Sequence, residues 1–297
     1  MTKILVTGSA GLVGIQVVKD LVRENFDVYA CYNETKIQFG VPTHLDLTKK
    51  DMIIDVFHTI NPDLVIHLAA KTDVEKCELQ KEETTLINTI ATEILARESA
   101  KQNAFFIYVS TDYVFDGEEG LKKENDICDP KNFYGKSKLN GENTVKKFAS
   151  QYLIIRTSTP FGIHSTKKSF PIWVKENLES GKEISVLTDQ FTSPTFVPNF
   201  SKMLLEVIKK RITGTIHLAG ATRISRYEFA KMIAKKLKLD TMLLKKSEIQ
   251  EMGWNATRPK DSSLDVSKAN KILDNKPLKI EISLELFLEQ IKNSTKF

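Results

Sequence analysis

Ser110-Thr111-Asp112-Tyr113-Val114-Phe115-Asp116-Gly117 lies a short way before Tyr134-Gly135-Lys136-Ser137-Lys138. The two segments offer a hydroxyl, a phenol and an ammonium that could converge on one carbonyl group. Tyr134 and Lys138 are four apart, so on a helix they share a face one turn from each other. A free phenol has a pKa of about 10 and is a poor acid–base catalyst at neutral pH. A nearby ammonium favours the phenolate and is expected to lower that pKa. The Thr111 hydroxyl can bond the same substrate oxygen. Alone, a Tyr-x-x-x-Lys spacing is short and common, and most instances are solvated helix faces. Its meaning rests on the elements that position it.

The first of those elements is a phosphate-binding turn. Lys3-Ile4-Leu5-Val6-Thr7 is a short β-branched run, as in a buried first strand. It leads into Gly8-Ser9-Ala10-Gly11-Leu12-Val13-Gly14, then into an amphipathic stretch with Val13, Val17, Val18, Leu21 and Val22 on one side. Strand, glycine turn and helix follow in the order that presents backbone N–H groups to a pyrophosphate. The spacing is G-x-x-G-x-x-G rather than the commoner G-x-G-x-x-G.

Alternation continues along the chain. Strands are expected at Asp27–Tyr32, at His44–Leu47, at Leu64–Leu68 before Ala69-Ala70, at Phe105–Val109 ending on Ser110-Thr111, and at Tyr152–Arg156. Helices are expected at Lys50–Ile60, Glu83–Gln102 and Phe133–Phe148. This βαβ order implies an α/β, doubly wound parallel sheet (Rossmann) with a smaller α/β substrate lobe. Ligands of such sheets sit at the carboxyl ends of the strands, where Gly8, Ala69 and Thr111 all fall. Residues 1–160 make the dinucleotide-binding domain and 161–297 mainly the substrate lobe, with elements of 190–222 returning to the first.

Bulk properties limit the alternatives. The 297 residues are 41% hydrophobic and 27% charged, an ordinary globular composition. No apolar run approaches membrane-spanning length and no secretory signal precedes the first strand, so neither a membrane partner nor a cleaved leader is expected. Cys31, Cys77 and Cys128 are odd in number and unclustered, as in a reducing cytoplasmic protein without a metal site. A net charge of +5, carried by scattered lysine pairs, argues for solvated helix faces rather than a nucleic-acid stripe.

With these residues in view, the chain resembles the extended short-chain dehydrogenase/reductases, and within them the dTDP-4-dehydrorhamnose reductase family. The resemblance runs over nearly the whole chain. It is carried by Gly8, Gly11 and Gly14, Asp46-Leu47, Ala69-Ala70-Lys71-Thr72, the Ser110–Gly117 string, Tyr134-Gly-Lys-Ser-Lys138, Arg156-Thr157-Ser158, Asp189-Gln190, Pro194-Thr195, Arg258-Pro259 and Leu264-Asp265. It implies reduction of a nucleotide-linked 4-keto sugar, with Thr111, Tyr134 and Lys138 as the catalytic set. Tyr134 would protonate the ketone oxygen, and Lys138 would hold the nicotinamide ribose and lower the Tyr134 pKa. Asp46 and Leu47 would flank the adenine, and Ala69 to Thr72 would run beside the cofactor's phosphates and ribose. Thr111, Asp112, Thr159 and Arg258 would face the substrate.

Three positions sharpen or loosen that resemblance. Related dehydratases have Glu where this chain has Tyr113; a phenol is a poor base at neutral pH, which favours simple reduction over elimination of water. No acid stands at the expected place near Cys31 for an NAD ribose, Glu34 coming slightly late as the rival candidate, and Lys36 could meet a 2′-phosphate, so NADP is expected, with NAD as an alternative. Thr159 stands where bacterial relatives carry Trp, and Gln16 where some carry an acid thought to join a metal-bridged dimer. No bridging metal is therefore expected, though a homodimer is compatible. Arg258 suits a diphosphate by its fork geometry and equally suits a structural salt bridge. The regulatory β-subunit of methionine adenosyltransferase resembles the same family and also lacks the Trp, so a cofactor-binding partner subunit is one rival reading. A nucleotide-sugar epimerase is the other.

Overall fold

The computed structural model describes residues 2–294. Six early strands are β1 (Lys3–Thr7), β2 (Asp27–Tyr32), β3 (Val41–His44), β4 (Leu64–His67), β5 (Phe105–Thr111) and β6 (Tyr152–Thr157). They join Gly214–His217 in one sheet ordered Gly214–His217, β6, β5, β4, β1, β2, β3. Every pairing in it is parallel. The order reverses at β1, so the crevice beside its carboxyl end is the topological switch point where such sheets bind ligands.

Both faces of the sheet are covered, as parallel sheets require. On one face Val17, Val18 and Leu21 of the Leu12–Arg23 helix pack with Phe200, Met203, Leu204 and Val207 against Ile4, Val6, Ile107 and Ile155. On the other, Ile53, Phe57, Ala91, Leu95 and Val145 cover Leu5, Val65, Phe106 and Ile154. The Val197–Lys209 helix and the Gly214–His217 strand thus belong to the sheet domain although they lie late in the chain. A second core gathers Phe161, Val174, Leu178, Val186, Phe229, Ile233 and Phe287 around a parallel pair, Ile184–Leu187 with Leu244–Ser247.

Two expected elements differ. The third strand ends at His44, so Asp46 and Leu47 lie beyond it rather than within it. The expected Glu83–Gln102 helix begins at Lys81 and carries a π-helical turn over Leu86–Ile90 before continuing to Lys101. Such turns are frequent at functional sites, and this one holds Asn88, whose side chain proves structural to the site.

Candidate active site

Gly8 sits just past β1 at φ +68, in the left-handed region that glycine enters without cost. A Cβ on Gly14 would stand 2.1 Å from the Gly8 carbonyl oxygen, so the turn closes onto the helix only without side chains there. Gly11 caps that helix with no side-chain hydrogen bond, leaving the first N–H groups, those of Leu12, Val13 and Gly14, without intrahelical partners. This cradle of backbone N–H groups at a helix N-terminus fits the pyrophosphate of a dinucleotide. The loop from 163 to 169 reaches back to it, with His164 Nε2 3.0 Å from the Ala10 carbonyl oxygen.

Ala69 and Ala70 follow β4 directly beside Gly8, and the Ala69 N–H donates to Thr7 Oγ1. The next residue is clamped at both ends of its peptide. Asn88 accepts from the Lys71 N–H at 2.8 Å and donates to the Lys71 carbonyl at 3.0 Å and to Ser137 Oγ at 2.9 Å. Asn88 therefore ties this strap to the helix carrying Tyr134 and Lys138. The Lys71 side chain turns away to Gln80 and Glu83, so only its backbone flanks the crevice. Thr72 is exposed. Asp46 spends one carboxylate oxygen on the N–H and hydroxyl of Thr48, and those bonds hold its pKa below the usual carboxylate value. Leu47 packs on the sheet core, and Lys36 is exposed on the loop after β2.

The Phe133–Phe148 helix is positioned at its first turn. Asn132 accepts the Gly135 N–H at 2.9 Å and donates to the Thr257 carbonyl at 2.8 Å, linking the two lobes. A Cβ at Gly135 would lie 2.1 Å from the Tyr113 carbonyl oxygen, so glycine lets the helix start press against the strand β5 extension. Tyr113 and Tyr134 then meet edge to face, 5.9 Å between centroids. The Thr111 hydroxyl lies close enough to the Tyr134 phenol to favour its ionised form. Lys138 is buried, donates to the Val109 carbonyl at 2.8 Å and lies 4.0 Å over the Tyr108 ring. Thr111, Tyr134 and Lys138 thus gather at the carboxyl end of β5.

The electrostatics differ from expectation. Burial pushes the Tyr134 phenol up, with the Thr111 hydroxyl opposing. Lys138 is itself pushed down to about 7 by burial, with Glu142 opposing. Its ammonium faces a strand carbonyl, so the expected Lys138-driven lowering of the Tyr134 pKa is absent from this arrangement. The Tyr113 phenol is also raised by burial, which keeps it neutral near pH 7.

Asp112 is the second departure. It is buried, accepting from Thr111 Oγ1 at 2.9 Å and Ser158 Oγ at 2.7 Å. Its carboxyl group therefore supports Thr111 from behind and does not face a substrate. Thr159, next to Ser158, has φ 41, a rare conformation for a β-branched residue. Arg258 donates to Glu75 at 3.1 Å and stacks 4.8 Å from the Trp254 ring, so its salt-bridge role is realised. Arg226 was not singled out by the sequence. It begins a helix, lies 5.0 Å over Phe170 and acts electrostatically on both Tyr113 and Asp112. No sequence pattern flags it, because its importance comes from where the second lobe docks.

A glycine cradle, a strap of small residues and a hydroxyl–phenol–ammonium group share one crevice at the switch point of a parallel sheet. That is the layout of a dinucleotide-dependent enzyme acting on a carbonyl or carbinol carbon. Comparison with known proteins narrows the class. The chain belongs to the family described as RmlD substrate binding domain, whose model matches residues 1–293. It is 34% identical, over 88% of its length and 89% of the relative's, to a probable low-salt glycan biosynthesis reductase of Haloferax volcanii. It is 30% identical, over 90% of its length and 81% of the relative's, to the methionine adenosyltransferase 2 subunit beta of Xenopus tropicalis. Among solved structures, a hypothetical dTDP-4-dehydrorhamnose reductase from Sulfolobus tokodaii superposes with a TM-score of 0.86 at 39% identity, covering 96% of this chain and 99% of the other. The Bacillus anthracis dTDP-4-dehydrorhamnose reductase in complex with NADP gives 0.87 at 30% identity, covering 98% and 100%.

Proposed function

We infer that this protein is an NADP-preferring reductase acting on the C4 ketone of a nucleotide-linked 4-keto-6-deoxyhexose. The substrate we assign is dTDP-4-dehydrorhamnose, reduced to dTDP-rhamnose. One observation carries the reading: Tyr134 stands beside Thr111 in the crevice that opens beside the glycine cradle, edge to face with Tyr113, and this residue after Asp112 is a neutral phenol and not a carboxylate base.

The cofactor, when bound, supplies the hydride. The N–H groups of Leu12, Val13 and Gly14 would hold its pyrophosphate, the Ala69–Thr72 strap would run beside its riboses, and Lys36 would meet the 2′-phosphate. Tyr134 donates its phenolic proton to the ketone oxygen, and Thr111 shares that oxygen and then the tyrosinate. The raised Tyr134 pKa keeps the donor protonated at neutral pH, as a general acid requires. We assign substrate contact to Thr111 and Thr159, and the role of substrate lobe to residues 161–297 apart from the elements that return to the sheet. We place the enzyme in the cytoplasm, in keeping with its three unclustered cysteines, and a homodimer is compatible with the reading.

Mixing the protein with NADPH and a dTDP-4-keto-6-deoxyhexose and following the reduced cofactor's absorbance tests the reading. Oxidation should occur and should be lost in Tyr134→Phe, with NADPH binding retained. A second reading, a cofactor-binding partner subunit, draws on the likeness to the methionine adenosyltransferase β-subunit. Binding of NADPH with no oxidation across several nucleotide sugars would replace the first reading with this one.

A further inference from the structure

His67 has no role in the mechanism above, yet both of its ring nitrogens are engaged in the core. It is the last residue of β4, wholly buried, and it precedes the Ala69–Thr72 strap by two residues. Its ring centroid lies 6.1 Å from that of Phe106 and 5.6 Å from that of Tyr108, and the Lys138 ammonium sits 4.0 Å over the Tyr108 ring. Packing alone would accept a phenylalanine there. Instead Nδ1 is 2.6 Å from Thr7 Oγ1 and Nε2 is 2.9 Å from Thr92 Oγ1.

The direction of each bond follows from counting protons. Thr92 belongs to the Ala91–Lys101 helix and spends its one hydroxyl proton on the Asn88 carbonyl at 2.8 Å. Toward His67 it can only accept, so Nε2 carries the ring proton. In a neutral imidazole Nδ1 is then the acceptor. Thr7 donates to it while accepting the Ala69 N–H at 3.2 Å. The opposite tautomer would leave the Thr7 proton without an acceptor among these groups and would take the Thr92 proton from the Asn88 carbonyl. A charged ring would strand the Thr7 proton in the same way, and burial together with the Lys138 charge holds the His67 pKa well below its ordinary value.

One unbroken chain results, from the Ala69 N–H through Thr7, His67 and Thr92 to Asn88. Its ends are the two sides of the crevice. Thr7 and Ala69 flank Gly8 at the glycine cradle. Asn88 grips the Lys71 N–H and carbonyl and Ser137, and Ser137 Oγ donates to the Tyr134 carbonyl at 2.7 Å. We propose that His67 is a positioning residue, locked as the neutral Nε2–H tautomer, that fixes the cofactor-binding turn relative to the helix carrying Tyr134. Hydride and proton converge on one carbonyl group, so their donors must be held in register from both sides. The proposal rests on the reductase reading for its effect on turnover, and on the glycine cradle for its effect on affinity.

Two half-replacements separate the two arms. In asparagine Oδ1 takes the place of the ring Nδ1, and in glutamine the amide nitrogen takes the place of the ring Nε2. His67→Asn keeps the acceptor for Thr7 and loses the donor to Thr92. It should bind NADPH as the wild type does and lower kcat about tenfold to a hundredfold. His67→Gln keeps the donor and loses the acceptor. It should weaken NADPH about tenfold by fluorescence titration, with kcat at saturating cofactor near the wild-type value. Equal losses of affinity and of kcat in both variants are what a packing residue gives, and would overturn the proposal. Thr92→Val removes the link while keeping the ring and the volume. It should repeat the His67→Asn result, and Thr92→Ser should restore wild-type turnover. Full turnover in Thr92→Val sinks the idea even where the histidine variants do not fold. Heteronuclear NMR of the cofactor-free protein should place the His67 proton on Nε2; a proton on Nδ1, or on both nitrogens, refutes the assignment. If the wild type binds NADPH but turns over no nucleotide sugar, the reductase reading fails, while the tautomer and the two NADPH affinities still decide the role of His67.

Discussion

Lys138→Met should make the folded protein more stable near pH 6 and progressively less advantaged toward pH 10. The reason is the buried ammonium. Burial pulls Lys138 from its ordinary 10.5 down to about 7. Each unit of that interval is worth about 1.4 kcal/mol, so below pH 7 the folded state carries a penalty of about 5 kcal/mol for holding the charge. Between pH 7 and 10.5 the unfolded chain binds the proton that the folded chain has released, so wild-type stability climbs with pH. Above 10.5 both states are neutral and the penalty is gone. Methionine has a similar stem and no charge. It forfeits the bond to the Val109 carbonyl, about 1–3 kcal/mol for a buried acceptor left unpaired, and the contact over Tyr108, about 1–2 kcal/mol. The balance is a gain of about 1–2 kcal/mol at pH 6 that turns into a loss by pH 10. Urea unfolding of both proteins at pH 6, 8 and 10 measures it. A variant less stable at pH 6, or a difference that does not change with pH, would refute the assignment of a strained ammonium to Lys138. The variant should also fail to turn over substrate, placing stability and activity in opposition at one residue.

Glu142→Gln should cost about 3–5 kcal/mol in urea unfolding, because it strands a buried Arg156 that Glu142 now meets through two bonds at 2.9 and 2.7 Å. Combined with Arg156→Leu, the loss should be smaller than the sum of the two single losses, and an additive cycle would mean that the pair is not coupled. Gly14→Ala should weaken NADPH binding at least tenfold by fluorescence titration, since the new methyl would sit 2.1 Å from the Gly8 carbonyl oxygen; unchanged affinity would mean that the cradle does not hold the cofactor. Lys36→Ala should weaken NADPH several-fold and leave NADH nearly unaffected, and equal effects on both would remove Lys36 from the 2′-phosphate site.

Most of the sheet was legible because its strands are apolar runs bounded by glycine, proline or polar turns, and the Lys50–Ile60 and Phe133–Phe148 helices appear at their expected limits. Tyr134 and Lys138 came from a spacing that a helix converts directly into a shared face. What stayed hidden depends on residues far apart in the chain. Asn88 looks like any polar helical residue until a π-helical turn aims it at Lys71 and Ser137. Lys71 has a backbone role that its charge obscures. Arg226 gains its significance only where the second lobe meets Tyr113. The direction of the Lys138 ammonium was misjudged because spacing fixes a helix face but not the hydrogen-bond partner at the end of a long side chain.

Tyr113 and Asp112 are the sharpest contrast between what a motif says and what a fold does with it. A comparison of residue types made Tyr113 the discriminating position, since a phenol cannot replace a carboxylate as base. In the fold its neutrality has a structural cause: the ring is desolvated against Tyr134, and burial outweighs the pull of Arg226 and Arg258 on its ionisation. The same burial falls on Asp112, the only acid beside the reacting hydroxyls in the Thr111–Val114 stretch, whose carboxyl group turns away from the substrate toward Ser158. With no exposed base in this segment and the Tyr134 phenol held protonated by burial, the site is arranged to deliver a proton rather than to remove one. Reduction needs that polarity, and elimination would need an additional base.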